Sequence, residues 1–323
     1  MINGHGDDAY RYSRIVTDFS SNICPHTHHE VLQFHLSSMP WLLSHYPEPE
    51  AWSLEAMIAK QHGIKPQQVI VTNGATEAIY LIAQAFRMIP EIPQPTFSEY
   101  EDACLMFPPT THDHNILWLC NPNNPTGDVY DFWDVIRMLL EHDLVVIDQS
   151  YEHYTDQLVM DPHTAVGLSR VIQIHSLTKT YGVPGLRLGY ITAHEWITER
   201  IRTCMRPWSV SAVAVEAGKF LLQHDELMCV PDLNEAQRLR DHLSLLGQVK
   251  VQDTKTNFML CQLAVGTAED LKDYLALNHG MLIRDASNFQ GLTDRHFRVA
   301  AQSPEEDDAL VAAIQQYLQT CTK

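Results

Sequence analysis

Positive charge is scarce in this chain: Lys and Arg number 22 against 40 Asp and Glu, a formal net charge of -18. That balance opposes binding to nucleic acid or to an anionic membrane surface, so an anionic ligand has to be met by a few well-placed cations. No apolar run approaches the roughly eighteen residues that span a bilayer. The opening MINGHGDDAY has neither the basic stretch nor the apolar core of a secretory leader. The 7 cysteines are odd in number and scattered, with no C-x-x-C pair. This excludes a zinc-ribbon pattern and points to a reducing, cytoplasmic compartment. His26, His28, His29 and His35 crowd together, but no cysteine or carboxylate constellation joins them, and no metal site is expected. Internal repeats and low-complexity segments are also missing.

What is present is an ordinary globular composition, 45% hydrophobic and 19% charged over 323 residues. At about 150 residues per domain this predicts two domains. Residues 1–45 are polar and turn-rich and read as an arm. A helix follows over 52–61, with Leu54, Met57 and Ile58 on one face, closed by Gly63. Val69-Ile70-Val71 is a short strand that runs into Asn73-Gly74 and a helix with Ile79, Ile82, Ala83 and Phe86 at helical spacing. A glycine turn opening a helix offers free N–H groups and a positive dipole end, which suits a phosphate and equally suits a plain helix cap.

The alternation continues. Ile116-Leu117-Trp118-Leu119-Cys120 leads into Asn121-Pro122-Asn123-Asn124-Pro125-Thr126-Gly127, so Asn124 is expected at a strand's carboxyl end. Leu144-Val145-Val146-Ile147 ends in Asp148, with Tyr151 three residues on; an acid at the end of a buried strand needs a partner or a function. Val171-Ile172-Gln173-Ile174 precedes SLTKTYGVPGLRLGY over 176–190. That loop sets Ser176, Thr178, Lys179 and Arg187 just beyond a strand, where open α/β sheets bind ligands. One reading is a solvated loop. The other is a lysine that forms a Schiff base with pyridoxal phosphate (PLP), while Ser176, Thr178 and Arg187 hold the phosphate by charge-assisted hydrogen bonds.

After Trp196 the pattern changes to helices over 212–223 and 233–245, then strands at Val249-Lys250-Val251, Asn257-Phe258-Met259-Leu260, Met281-Leu282-Ile283-Arg284 and His296-Phe297-Arg298-Val299-Ala300, and a helix over 304–318. The predicted fold class is α/β: a large domain with a mostly parallel sheet flanked by helices, plus a smaller C-terminal α+β domain. The expected division is an arm at 1–45, a large domain at 46–205 and a small domain at 206–323.

With Asn73-Gly74, Asn124-Pro125-Thr126-Gly127, Asp148, Lys179 and Arg187 in that order, the chain resembles the fold-type I PLP enzymes of the aspartate aminotransferase superfamily over nearly its whole length. Within them it looks most like the branch of the histidinol-phosphate aminotransferases and the L-threonine-O-3-phosphate decarboxylases of cobalamin synthesis. The decarboxylase side is favoured by His5-Gly6, Asp18-Phe19-Ser20-Ser21-Asn22-Ile23, Arg206-Pro207-Trp208-Ser209-Val210, Leu282-Ile283-Arg284, Asn288-Phe289-Gln290-Gly291-Leu292 and Phe297-Arg298-Val299-Ala300. Three features depart from it: the acid pair Asp7-Asp8 after His5-Gly6, Asp148-Gln149-Ser150-Tyr151 with an aminotransferase-like tyrosine, and a short segment between Phe97 and Asn124.

The resemblance implies roles. Lys179 would carry PLP and shuttle a proton, Asp148 would pair with the pyridine nitrogen, Asn124 and Tyr151 would bond the ring's phenolic oxygen, and Phe97 would stack on its face. Ala75, Thr76, Ser176, Thr178 and Arg187 would hold the cofactor phosphate, with Tyr46 arriving from the second subunit of a homodimer. Arg298 would take the substrate carboxylate, while Arg284 and His5 would meet a distal phosphate. The implied activity is that of a PLP-dependent lyase acting on threonine phosphate. The alternative is transamination of histidinol phosphate or another amino acid. A PLP-binding regulator would need a DNA-binding helix-turn-helix, for which neither the length nor the charge leaves room.

Overall fold

The computed structural model describes residues 8–24, 27, 29–110 and 112–321. Its strands are β1 (Thr17–Asp18), β2 (Val69–Thr72), β3 (Ile89–Glu91), β4 (Asn115–Cys120), β5 (Leu144–Asp148), β6 (Val171–His175), β7 (Gly189–Ala193), β8 (Val249–Val251), β9 (Phe258–Leu263), β10 (Met281–Leu282), β11 (Arg284–Asp285) and β12 (His296–Ala300). A six-stranded sheet has the order β2-β7-β6-β5-β4-β3. β3 to β6 pair in parallel and β7 is antiparallel to both its neighbours, so five strands run one way and the mostly parallel sheet is as predicted. Val145, Val146 and Ile147 are fully buried. Such continuous β-branched runs are what a strand covered on both faces requires.

Both faces are covered by helices. The helix Gly74–Phe86 turns Ala78, Ile79, Ile82 and Phe86 into one core with Trp118, Val146 and Ile172. Burying each large apolar side chain there stabilises by about 1.5–3 kcal/mol, and Ile79→Ala is expected to cost about 2–5 kcal/mol through the cavity it leaves. On the other side, the helix Trp52–His62 packs Leu54 and Ile58 with Val69, Val71 and Leu188. The helix Ala212–Leu221 joins that same cluster through Ala214, Val215 and Leu221. Although it follows residue 206, it therefore packs on the large sheet.

The second body is a four-stranded antiparallel sheet, β11-β12-β9-β8, covered by the helices Leu233–Ser244, Ala268–His279 and Pro304–Cys321. The sequence 281–284, read as one strand, is two: Met281–Leu282 pairs in parallel with β1, and Arg284–Asp285 pairs with β12. Between them Ile283 is wholly buried, and the break there lets one short stretch serve two ladders. The N-terminal segment is thereby built into the second body, with Phe19 buried among Leu239, Phe297 and Ile314. Asp8, one of the two departing acids, is tied down by Lys272, a buried ion pair that neutralises it.

Candidate active site

A cavity of about 260 Å³ opens between the two bodies, at the carboxyl ends of β4, β5 and β6. Asp148 closes β5 and stands in register with Cys120 on β4 and Ile174 on β6. It is 4% exposed. Its Oδ1 accepts from the Ser150 N–H at 2.9 Å and the Ser150 hydroxyl at 2.5 Å, and its Oδ2 accepts from the Tyr100 hydroxyl at 2.8 Å. Burial raises its pKa, opposed by these donors.

Lys179 sits on the short helix Leu177–Thr180 directly after β6. The backbone beneath it is pinned: its carbonyl accepts from the Tyr154 hydroxyl at 2.9 Å, and the Thr180 carbonyl accepts from the Cys229 N–H at 2.7 Å. Its Nζ lies 5.6 Å from the centre of the Tyr151 ring. That ring packs edge-on against Phe258 at 5.1 Å, and burial pushes its hydroxyl up to about 12. Phe97 lies edge-on to Tyr100, with centroids 5.8 Å apart.

An anion cradle lies at one end. Gly74 opens the 13-residue helix Gly74–Phe86 at φ 81, in the left-handed region. A Cβ there would come within 2.7 Å of the Arg187 guanidinium, and a Cβ on Gly189 within 2.8 Å of the Ala75 nitrogen. The backbone approach that brings Arg187 over the helix N-terminus therefore requires glycine. Ala75, Thr76, Ser176, Thr178 and Arg187 share the cavity wall. Free helix N–H groups, hydroxyls and one guanidinium form a donor set that fits a phosphate. With a lysine and a buried carboxylate at the other strand ends, the cavity fits pyridoxal phosphate.

Opposite the sheet stand two arginines. Arg284 on β11 and Arg298 on β12 face each other in the antiparallel ladder, and both are buried. Arg298 donates to Asn124 Oδ1 and, at 2.5 Å, to the Ser20 carbonyl, while its Nε has no hydrogen-bond partner among the described residues. Arg284 donates to Asn288 Oδ1 at 2.7 Å and lies over the Phe289 ring at 5.4 Å. Burial, then the neighbouring Arg298, lowers its pKa to about 10. Burial lowers Arg298 as well. An anion between the two guanidinium groups would relieve both effects.

Every predicted site residue except Tyr46 and His5 lines this cavity. Tyr46 lies outside it, 85% exposed, with its ring 5.4 Å from Trp208. His5 falls outside the described residues. Sequence reasoning missed Tyr100 and Ser150 on Asp148 and gave no role to Asn22. Asn22 is a buried wall residue whose Nδ2 reaches the Tyr151 hydroxyl at 3.4 Å and whose Oδ1 lacks a partner among the described residues. The available signals were Ser150 two residues after the acid, and a tyrosine three residues beyond Phe97. Among the described residues no group of histidines, cysteines or carboxylates is arranged to hold a metal, and no helix is long and apolar enough to cross a membrane.

The L-threonine-O-3-phosphate decarboxylase of Porphyromonas gingivalis has a similar solved structure, with 35% sequence identity and a TM-score of 0.88 over 94% of this chain and 100% of that one. The threonine-phosphate decarboxylase of Salmonella typhimurium is 28% identical, covering 93% of this chain and 91% of its own. A histidinol-phosphate aminotransferase of Thermoanaerobacter sp. is also 28% identical, over 84% of each chain. The model of the aminotransferase class I and II family matches residues 14–107 and 107–314. With a lysine, a buried acid and an anion cradle held at the ends of a mostly parallel sheet, this chain is an enzyme that belongs to the aminotransferase class I and II family.

Proposed function

We propose that the chain is a PLP-dependent decarboxylase of a phosphorylated amino acid, converting L-threonine O-3-phosphate to aminopropanol phosphate as in cobalamin biosynthesis. The observation that carries this reading is the pair Arg284 and Arg298, opposite each other in one ladder and facing the cavity that holds Lys179 and Asp148. Two buried guanidinium groups suit a small substrate with a carboxylate at one end and a phosphate at the other. The 35% identity to a threonine-phosphate decarboxylase supports it.

The bound cofactor supplies an electron sink that weakens the bonds at the substrate's α-carbon. Lys179 would hold the cofactor, and its Nζ would move a proton to and from the substrate's α-carbon. Asp148 would keep a proton on the ring nitrogen, Asn124 and Tyr151 would hold the phenolic oxygen, and Phe97 would cover the ring face. Ala75, Thr76, Ser176, Thr178 and Arg187 bind the cofactor phosphate. Arg298 orients the carboxylate, and Arg284, with His5, holds the distal phosphate. Which α-carbon bond stands perpendicular to the ring decides which one breaks.

Transamination of histidinol phosphate or another amino acid is the second reading. It is favoured by Tyr151 in its aminotransferase-like place and by the 28% identity to histidinol-phosphate aminotransferases. Incubating holoenzyme with threonine phosphate, and separately with histidinol phosphate plus 2-oxoglutarate, discriminates the two. Carbon dioxide release in the first arm is expected; glutamate formation in the second without it would overturn the first choice.

The enzyme is proposed to work as a cytoplasmic homodimer, with Tyr46 completing the phosphate site of the partner. The exposed Phe34, Trp41, Leu43, Tyr46 and Trp52 concentrate a large apolar surface in one short segment, which supports burial against a second copy. Mixing Tyr46→Ala with Lys179→Ala protein tests this. Hybrid dimers contain one wild-type site if Tyr46 crosses the interface, so activity should reappear on mixing; no recovery, or a fully active monomer, would refute it.

A further inference from the structure

Behind Asp148 stands a residue without a role so far. Tyr100 lies in the first turn of the helix Glu99–Met106 and is completely buried. Its ring stacks on Trp118 at 5.7 Å and meets the edge of Phe97 at 5.8 Å, so packing from two sides fixes its direction. The hydroxyl is aimed at Asp148 Oδ2 at 2.8 Å. The neighbouring Cys120 thiol, in register with Asp148, is held neutral by burial, which pushes it up to about 12. Phenylalanine would fill the same core space. What the hydroxyl adds is one hydrogen bond to the carboxylate.

The consequence concerns a single proton with two competing bases. Where Asp148 faces the ring nitrogen, the proton resides either on that nitrogen, leaving a carboxylate, or on Asp148, leaving a neutral ring. Burial favours the neutral carboxyl. Donors to the carboxylate favour its anion, and Oδ1 already takes both donors of Ser150. Oδ2, the other oxygen, has Tyr100. A hydrogen bond to a charged group moves such a balance by roughly tenfold or more.

We propose that Tyr100 is a positioning residue that orients Asp148 through Oδ2 and holds the shared proton on the cofactor's ring nitrogen. The proposal rests on the PLP reading above and on Asp148 facing that nitrogen. It gives a share in setting the ring's electron demand to a tyrosine that acts through Asp148.

The test uses three holoenzymes, wild type, Tyr100→Phe and Asp148→Asn, each reconstituted with PLP carrying heavy nitrogen in its ring. The nitrogen resonance distinguishes a protonated from a neutral ring. Expected are a protonated ring in wild type, a neutral one in Asp148→Asn, and a resonance displaced toward neutral in Tyr100→Phe, with kcat lowered roughly tenfold and KM within about twofold. A Tyr100→Phe resonance identical to wild type, while Asp148→Asn shifts, overturns the role of Tyr100 and leaves the cofactor assignment standing. An unshifted Asp148→Asn ring instead overturns the placement of Asp148, and this proposal with it. If Tyr100→Phe does not fold, Ser150→Ala removes a donor from the other oxygen outside the aromatic stack. A displacement toward neutral there supports donor control of the proton, and an unmoved resonance overturns it.

Discussion

The two ends of the cavity solve opposite electrostatic problems. At the sheet end one buried carboxylate, Asp148, receives three donors, two from Ser150 and one from Tyr100, which offset part of the cost of burying its charge. At the other end two buried guanidinium groups face each other in a ladder, and each is held below the usual arginine range by burial. Arg298 Nε there has no partner among the described residues. Donors set in place in advance do not reorganise when charge moves beside them, which suits the reacting centre of the proposed function. On the proposed function, two buried guanidinium groups side by side would make a selecting site, because a ligand without negative charge leaves their burial uncompensated.

The change that breaks this contrast most completely is Lys179→Ala, since it removes the group proposed to carry the cofactor. Turnover should fall by about 1,000-fold or more. In wild type, borohydride reduction should fix the cofactor on the Lys179 peptide, and label on another lysine would end the PLP assignment made here. Next in size is Asp148→Asn, which strikes the sheet end alone. A fall in kcat of about 100-fold or more, with KM nearly unchanged, is expected from steady-state kinetics. A loss mainly in KM would contradict the contrast.

At the selecting end, Arg284→Ala should raise KM for the phosphorylated substrate by about 30-fold or more, the equivalent of about 2 kcal/mol or more for a buried charge contact. Slow reaction with the unphosphorylated amine should be spared. Equal losses for both substrates would show that Arg284 serves the fold instead.

The smallest effect sharpens the comparison with a carboxyl far from the cavity. Asp307 is as buried as Asp148 but accepts from the Gln302 N–H at 3.0 Å on one oxygen, while its Oδ2 has no partner among the described residues. Burial, opposed by the Gln302 N–H and reinforced by the nearby Glu235 carboxylate, pushes it up to about 8. In the unfolded chain it ionises near pH 4. The unfolded state therefore loses its proton first, and the stability Asp307 contributes is lost as pH rises from about 4 to about 8. Urea titrations should show Asp307→Asn gaining on wild type across that window and holding a constant difference above it. A flat difference would mean that Asp307 is already ionised in the folded protein.

Much of this was legible in the primary structure because it is local. Apolar runs ending in turn formers placed Asn124, Asp148 and Lys179 at strand ends, and Asn73-Gly74 marked a helix start, since periodicity and turn chemistry act over a few residues. Arg187 stood out in the loop after β6, whereas Arg284 and Arg298 were singled out by the resemblance. What only the tertiary structure decided depends on pairings between distant segments. The register of β11 on β12 sets Arg284 opposite Arg298. The ladder of β1 on β10 carries Asn22 into the cavity wall and Phe19 into the second core. The ion pair of Asp8 with Lys272 neutralises one of the two acids that depart from the decarboxylase pattern, and the packing of Tyr100 between Trp118 and Phe97 aims its hydroxyl at Asp148. Sequence spacing reports which face of its own element a side chain takes, but the partner it meets there is set by how separate elements pack, and that is a property of the whole fold.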